Sequence, residues 1–196
     1  MPDEAEVHGL AALMEIQASR MRARTDPAGR PILLLDQDRG RWDGVLIGRG
    51  LAALERAAAL DRERAGREPG PYELQAAIAA CHARARTADA TDWPQIVALY
   101  DALAQRLPSP VVELNRAVAV GMAFGPAAAL PLVDALAGEP ALQRYPLLHS
   151  VRADLLAKLQ RKDEARAALE RAAGMTSNQR ERELLRERMR SLMAAR

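Results

Sequence analysis

The chain has 196 residues, 28% of them charged, a net charge of +2 and only 3% aromatic residues. One cysteine leaves no intrachain disulfide or cysteine-built zinc site, and no long apolar run or basic-then-apolar leader marks a membrane span or signal peptide, so a cytoplasmic protein is expected. The near balance of charge, despite a pI of about 9.0, reads as a solvated surface and not as a nucleic-acid footprint.

Ala, Leu and Arg dominate, and Gly and Pro cluster between long periodic segments, which predicts an all-α chain with close, small-residue helix seams. The first helix is predicted over residues 4–23, capped by Asp3. Val7, Leu10, Leu13, Met14 and Ile16 to Met21 form its apolar face, and Arg20, Arg22 and Arg24 crowd its last turn, as the dipole favours. It starts beside Met1, so a neighbour that packs on its other side is expected to be missing, and the bare helix could drive dimerisation.

Residues 25–41 form an irregular insertion, discussed below. A second helix is predicted over 42–60, with Ile47, Leu51, Leu54 and Ala58 as its core stripe. Gly44, Gly48 and Gly50 each cost it up to about 1 kcal/mol relative to Ala, which makes sense where another helix comes close. Asp61 to Pro71 reads as a charged connector. The third helix, 71–86, carries two stripes: Leu74, Ile78, Cys81 and Ala85 on one side, Tyr72, Gln75, Ala79 and His82 on another. Cys81 then acts as a small apolar core residue, and its neighbour His82 faces away from it, which argues against a Cys–His nucleophile. Tyr72, Gln75 and His82 suit either a solvated face or the lining of a groove. The histidines, His8, His82 and His149, lie on separate helices without metal-ligand spacing, and read as surface or groove residues.

After a loop at 87–91, Asp92 caps a helix to about Leu107, with Trp93, Ile96, Val97, Leu99, Tyr100 and Leu103 as its apolar set. The helix at 111–124 turns Val111, Leu114, Val118 and Met122 inward. Asn115 shares that arc, as a backbone clamp or a ligand contact, with Arg116 at its edge. Further helices are predicted at 126–137, 146–160, 163–174 and 178–194. The last pairs Glu183 with Arg186 and Glu187 with Arg190 as a solvated cap. Turn positions Asp92, Pro126 and Asp163 are 34 and 37 residues apart, the period of helical hairpins. Arg152 to Ala172 resembles a tetratricopeptide-repeat junction. The expected architecture is a tetratricopeptide-like helical-hairpin solenoid of about nine helices forming one domain over 1–196: divergent helices with the insertion in 1–91, hairpins in 92–196.

The insertion holds the most distinctive stretch, Leu33-Leu-Leu-Asp-Gln-Asp-Arg-Gly-Arg-Trp-Asp43. The apolar run Ile32 to Leu35 is expected to be extended and pressed against the helices. The charged residues that follow fit a helix start, where carboxylates meet unpaired N–H groups. Two readings of Asp36, Gln37, Asp38, Arg39, Arg41, Trp42 and Asp43 stay open. In the favoured one they form an ion-paired plug or protein contact, with Arg39 and Asp43 paired four apart and Trp42 filling a gap. In the other, Asp36 and Asp38 hold a divalent cation or do acid–base work, a pattern that two carboxylates often mimic by chance.

This stretch, together with Pro2 to Met14, Gly70 to Ala79 and Ser109-Pro-Val-Val-Glu-Leu-Asn-Arg-Ala-Val-Ala-Val120, resembles the C-terminal extension of a group of bacterial extracytoplasmic-function RNA polymerase sigma factors. In that group a tetratricopeptide-like domain follows the two sigma domains. The resemblance covers nearly the whole chain, but the promoter-reading and polymerase-binding parts are absent from it. It implies a regulatory, non-catalytic interaction domain, with no catalytic residue, metal or cofactor to carry over. It also implies that the chain itself contacts neither DNA nor membrane. The partners it implies are the sigma core domains of the same protein, RNA polymerase or a regulatory protein. Contacts would fall on Asp36, Gln37, Asp38, Arg39, Arg41, Trp42 and Asp43, with a groove of Tyr72, Gln75, His82, Asn115 and Arg116. A general peptide-binding scaffold, or a small-molecule domain centred on Asp36, Asp38 and Arg39, are the alternatives.

Overall fold

A computed structural model describes residues 3–64 and 67–194, and it is all-helical. Among the described residues there are nine α-helices. They are α1 (Ala5–Ser19), α2 (Gly44–Glu63), α3 (Pro71–Arg84), α4 (Trp93–Arg106), α5 (Pro110–Phe124), α6 (Pro126–Ala135), α7 (Pro146–Lys158), α8 (Lys162–Met175) and α9 (Gln179–Ala194). The chain divides into two compact units, Met1–Pro108 and Ser109–Arg196. Helix α4, which the repeat spacing groups with the later hairpins, packs on α3 and belongs to the first unit. No described helix is long and apolar enough to cross a membrane.

Several helix starts follow the local sequence. The Asp92 carboxylate accepts from the Gln95 N–H at 3.0 Å, and the Ser109 hydroxyl accepts from the Val111 N–H at 3.3 Å. Each satisfies a backbone donor that has no partner within the helix. Asp3 does not serve in this way: Glu4 is the residue before α1, and its side chain makes no capping bond.

In the first unit α1 is central and packs on both α2 and α3. The seams are built from small residues. Ala5, Gly9 and Ala12 face inward on α1, beside Ile16, and Gly50 and Ala57 face inward on α2. A methyl group at Gly50 would stand 2.6 Å from Ile16 Cγ1 and 3.0 Å from the Ala12 carbonyl oxygen. One at Gly9 would stand 2.7 Å from the Glu73 nitrogen. That closeness corrects two expected faces. On α1, Val7, Leu10 and Met14 are exposed, as is Met21 just beyond it. On α2, Leu51 and Leu54 only flank a cluster of Ile16, Ala79 and Ala80, and Ala58 is exposed. Helices this close admit little between them but methyl groups and hydrogens, so bulky side chains move to the flanks. Gly44 and Gly48 meet nothing within 4 Å, so of the three glycines only Gly50 serves close approach.

Helix α2 runs to Glu63, which takes Asp61 out of the expected connector; residues 65 and 66 of that connector lie outside the described residues. The insertion also differs from expectation. Leu34–Asp36 and Arg39–Arg41 are short 3-10 turns, a lone bridge joins Thr25 to Pro31, and Leu33 and Leu35 are exposed.

In the second unit each helix packs on the next in the chain, from α5 to α9. Ala153, Ala168, Leu169, Ala172 and Leu185 form one core cluster there. On α5, Leu114 is buried as expected, but Val111 is exposed and Val112, Ala117, Ala119 and Val120 complete the buried set. Glu183 accepts from Gln179 at 3.1 Å, and Arg188 reaches back to Asp154 of α7 at 3.2 Å. Helix α7 closes with Gln160 in the left-handed conformation at φ 61°. The Gln160 N–H donates to the Ala157 carbonyl at 3.0 Å and the Arg161 N–H to the Leu156 carbonyl at 2.9 Å, the paired bonds of a Schellman cap.

Candidate functional site

The 36–43 stretch folds around Trp42, which is buried. Its backbone is pinned on both sides: the Asp43 N–H donates to the Ser19 carbonyl at 2.9 Å, at the end of α1. The Asp43 carboxylate then accepts from the Val45 and Leu46 N–H groups at 2.9 and 3.2 Å and starts α2. Asp38 accepts from the Gly40 N–H at 2.9 Å and tightens the preceding turn. Both carboxylates therefore do the work of helix-start residues.

Arg39 does not pair with Asp43. Its guanidinium donates to the His82 carbonyl, to the Ala85 carbonyl at 3.2 Å and to the Thr91 hydroxyl at 3.3 Å. The last carbonyls of α3 have no partner within the helix and carry the negative end of its dipole, so a cation is the fitting cap. The Trp42 ring meets two guanidinium groups, Arg39 at 4.8 Å and Arg20 at 5.2 Å from its centre. Gln37 completes the packing: its side-chain oxygen accepts from Arg20 Nε at 3.2 Å and its amide donates to the Ile32 carbonyl at 3.1 Å. The arginines thus act through carbonyls, an amide and an indole face. Among the described residues none of the motif's carboxylates forms an ion pair with a motif arginine. Burial, then Arg24 and Arg39, push the Arg20 guanidinium down to about 10.

The expected groove residues divide between interior and surface. His82 is buried, with its ring edge-on to Trp93 at 5.2 Å. Burial first, then Arg39 and Arg20, push its imidazole down to about 4, so it is neutral in the fold. Helix α3 packs against both α1 and α4, so each of its stripes contributes buried residues, Leu74 and Ile78 on one and Ala79 and His82 on the other. Tyr72 is exposed in the first turn of α3, and half-buried Gln75 donates to the Pro71 carbonyl at 3.1 Å. Asn115 and Arg116 lie on α5, both half-buried, and Arg116 donates to Glu113 at 2.9 Å. Asn115 is thus not the inward amide its spacing suggests. His8 is buried rather than a surface residue. Cys81 is half-buried and burial raises its thiol, in keeping with an unreactive side chain.

Of the motif, Asp36 and Arg41 remain. Their side chains are exposed and make no hydrogen bond or ion pair among the described residues. With Leu33, Leu35 and Val45, also exposed, they form the outward part of the segment. No group of three or more His, Cys, Asp or Glu able to hold a metal occurs among the described residues.

A second cluster escaped the sequence. Asp61 of α2 and Glu73 of α3 are both more than nine-tenths buried and line a cavity of about 490 Å³ walled by Leu54, Leu74, Ala77 and Leu99. Burial, then the contact with Asp61, push the Glu73 carboxyl up to about 7. The available signal was phase: Asp61 continues the buried stripe of Gly50 and Ala57 at helical spacing. Its membership of a charged run concealed it.

Residues 1–58, which include α1 and the Trp42 segment, match a model described as "Family of unknown function (DUF6596)". The chain is 48% identical over 177 residues to "Uncharacterized protein R00370" of Rhizobium meliloti (strain 1021). That match takes in 90% of this chain and 40% of the relative, so the chain spans well under half the length of the protein it resembles. No solved structure matches the chain.

Proposed function

We propose that this chain is a non-catalytic regulatory and protein-interaction module of a longer protein, the tetratricopeptide-like extension of an extracytoplasmic-function sigma factor. The observation that carries the interaction reading is the division of labour within the motif. Gln37, Arg39, Trp42 and the two capping carboxylates lock α1, α2 and the end of α3 together. That leaves Asp36, Arg41, Leu33, Leu35 and Val45 displayed on a braced segment. Rigid display of a few charged and apolar groups suits a contact surface better than chemistry. The transcriptional part rests on the motif resemblance, and the greater length of the Rhizobium relative leaves room for further domains. Neighbour-on-neighbour packing from α5 to α9 supports the hairpin-repeat reading, since repeat arrays are built from such contacts. Its partners are the sigma core domains of the same protein, RNA polymerase or a regulatory protein, in the cytoplasm.

A small-molecule site centred on Asp36, Asp38 and Arg39 is disfavoured, because Arg39 is committed to the α3 carbonyls and Asp38 to Gly40. The test is in vitro transcription by the full-length parent protein, with and without the region equivalent to this chain. Deletion is expected to change transcript yield severalfold, and Asp36→Lys with Arg41→Glu to reproduce the change in an intact fold. Unchanged yield in both would overturn the proposal.

A further inference from the structure

The cavity beside Asp61 and Glu73 has a chemistry that the contact surface does not use. Leu54 on α2, Leu74 and Ala77 on α3 and Leu99 on α4 give it an apolar lining, and Arg62 and Arg67 also border it. Its floor carries two buried carboxyl groups. No N–H group donates a hydrogen bond to either Asp61 oxygen, although both are shielded from solvent, and the bond Asp61 does make is the one it shares with the Glu73 carboxyl. The nearest cation, Arg67 Nε, stands 3.4 Å from Oδ1 and shares its charge with Glu4 at 3.6 Å. Glu73 accepts one bond, from the Gly70 N–H at 3.2 Å. A buried carboxylate without donors is costly, and two in contact cannot both stay charged unless a positive group joins them.

The surrounding charges leave one negative charge uncovered. Glu4, Glu6, Asp61 and Glu73 face Arg64 and Arg67, with exposed Arg62 at the cavity's edge. Arg64 is taken by Glu4, at 3.1 Å. Glu6 accepts from the Tyr72 and Glu73 N–H groups at 3.0 and 3.2 Å, where it covers the start of α3. The excess therefore sits on the Asp61–Glu73 pair, next to an apolar chamber.

We propose that this cavity binds a primary ammonium group on an apolar stem, with the ammonium between Asp61 and Glu73 and the stem against Leu54, Leu74 and Leu99. An ammonium supplies three donors to the carboxyl oxygens that lack them, and its charge takes the place of the proton the pair otherwise shares. The cavity volume suits a stem of several methylenes. Such a group occurs both on a free alkylamine and on a lysine side chain of a partner protein.

The test is calorimetric and NMR titration of the whole chain with hexylamine, hexanol, hexanoate and a capped lysine amide. Hexylammonium or the capped lysine is expected to bind at least tenfold more tightly than hexanol, with hexanoate excluded. Binding at pH 6.5 is expected to release a proton, read from its dependence on buffer ionisation heat. Tighter binding of the capped lysine points to a protein partner, and tighter binding of hexylammonium to a free amine. Asp61→Asn with Glu73→Gln should abolish the preference. Should that variant not fold, the Glu73 carboxyl resonance of the unaltered chain must still move to its ionised position on hexylammonium binding. Equal binding of hexanol and hexylammonium, or a Glu73 resonance unmoved by saturating amine, would overturn the proposal.

Discussion

Trp42 is held by contacts that each come from a different part of the first unit: Arg20 from the end of α1, Arg39 from its own turn, and through Arg39 the last carbonyls of α3. Removing the ring leaves a cavity between two like charges that lose their shared face. Trp42→Ala is therefore expected to destabilise the chain by about 3–5 kcal/mol in urea unfolding. Arg39→Lys should still cost about 1–3 kcal/mol, because a single ammonium lacks the planar fork that spans two carbonyls and a hydroxyl. Two buried titratable groups pull stability in opposite directions with pH. His82 titrates near 4 in the fold against an ordinary value of 6.5, so the unfolded chain takes up the extra proton between those values. Its contribution is complete above 6.5 and is lost as pH falls toward 4. Glu73 titrates near 7 against 4.5, so the unfolded chain releases its proton first. That contribution is complete below 4.5 and is lost as pH rises through 7. Melting temperatures across pH 4–8 should accordingly show the alkaline loss shrink in Glu73→Gln and the acid loss shrink in His82→Phe.

At the scale of elements, helix ends and helix seams carry the specific chemistry. The Schellman cap of α7 places Gln160 at the left-handed position where a Cβ is unfavourable. Gln160→Gly keeps both capping bonds and is expected to stabilise the second unit by up to about 1 kcal/mol, read as a raised urea midpoint. The α1–α2 seam makes the reverse case. Gly50→Ala would set a methyl against Ile16 and the Ala12 carbonyl, and is expected to cost about 1–3 kcal/mol, whereas Gly48→Ala, with open space around it, should be neutral or slightly stabilising. The pair of variants separates close approach from helix propensity on a single helix.

At the scale of the molecule, large apolar side chains stand exposed on the first unit: Val7, Leu10, Met14 and Met21 near α1, Leu33 and Leu35 in the insertion, and Val45 at the start of α2. Met14 and Val45 are 64% and 71% exposed, so neither contributes much to the fold of the chain by itself. Exchange of either for Glu is expected to leave unfolding free energy within about 0.5 kcal/mol. Because Val45 belongs to the proposed contact surface, Val45→Glu in the full-length parent should change transcript yield, whereas Met14→Glu, outside that surface, should not. A substitution that is silent for stability but active in transcription would separate recognition from folding, which Trp42→Ala cannot do.

The sequence by itself determined the helices and many of their ends. Backbone bonds four residues apart, caps such as Asp92 and Ser109, and breakers such as Gly125-Pro126 act within a few residues and are visible as spacing. Asp43 as a helix start and the core place of Ile96, Leu103 and Leu114 were legible in the same way. Tertiary structure decided which face of each helix is buried, because that depends on how near the neighbour comes. Once Gly50 lets α1 and α2 close up, the seam takes Ala5, Ala12 and Ala57, and the bulkier Val7, Leu10 and Met14 turn outward. It likewise brought Arg39 to carbonyls 43 and 46 residues away, and Asp61 to Glu73 across the connector. Local periodicity ranks side chains by polarity along a face. Only the packed helices decide which polar groups meet and which lose their water.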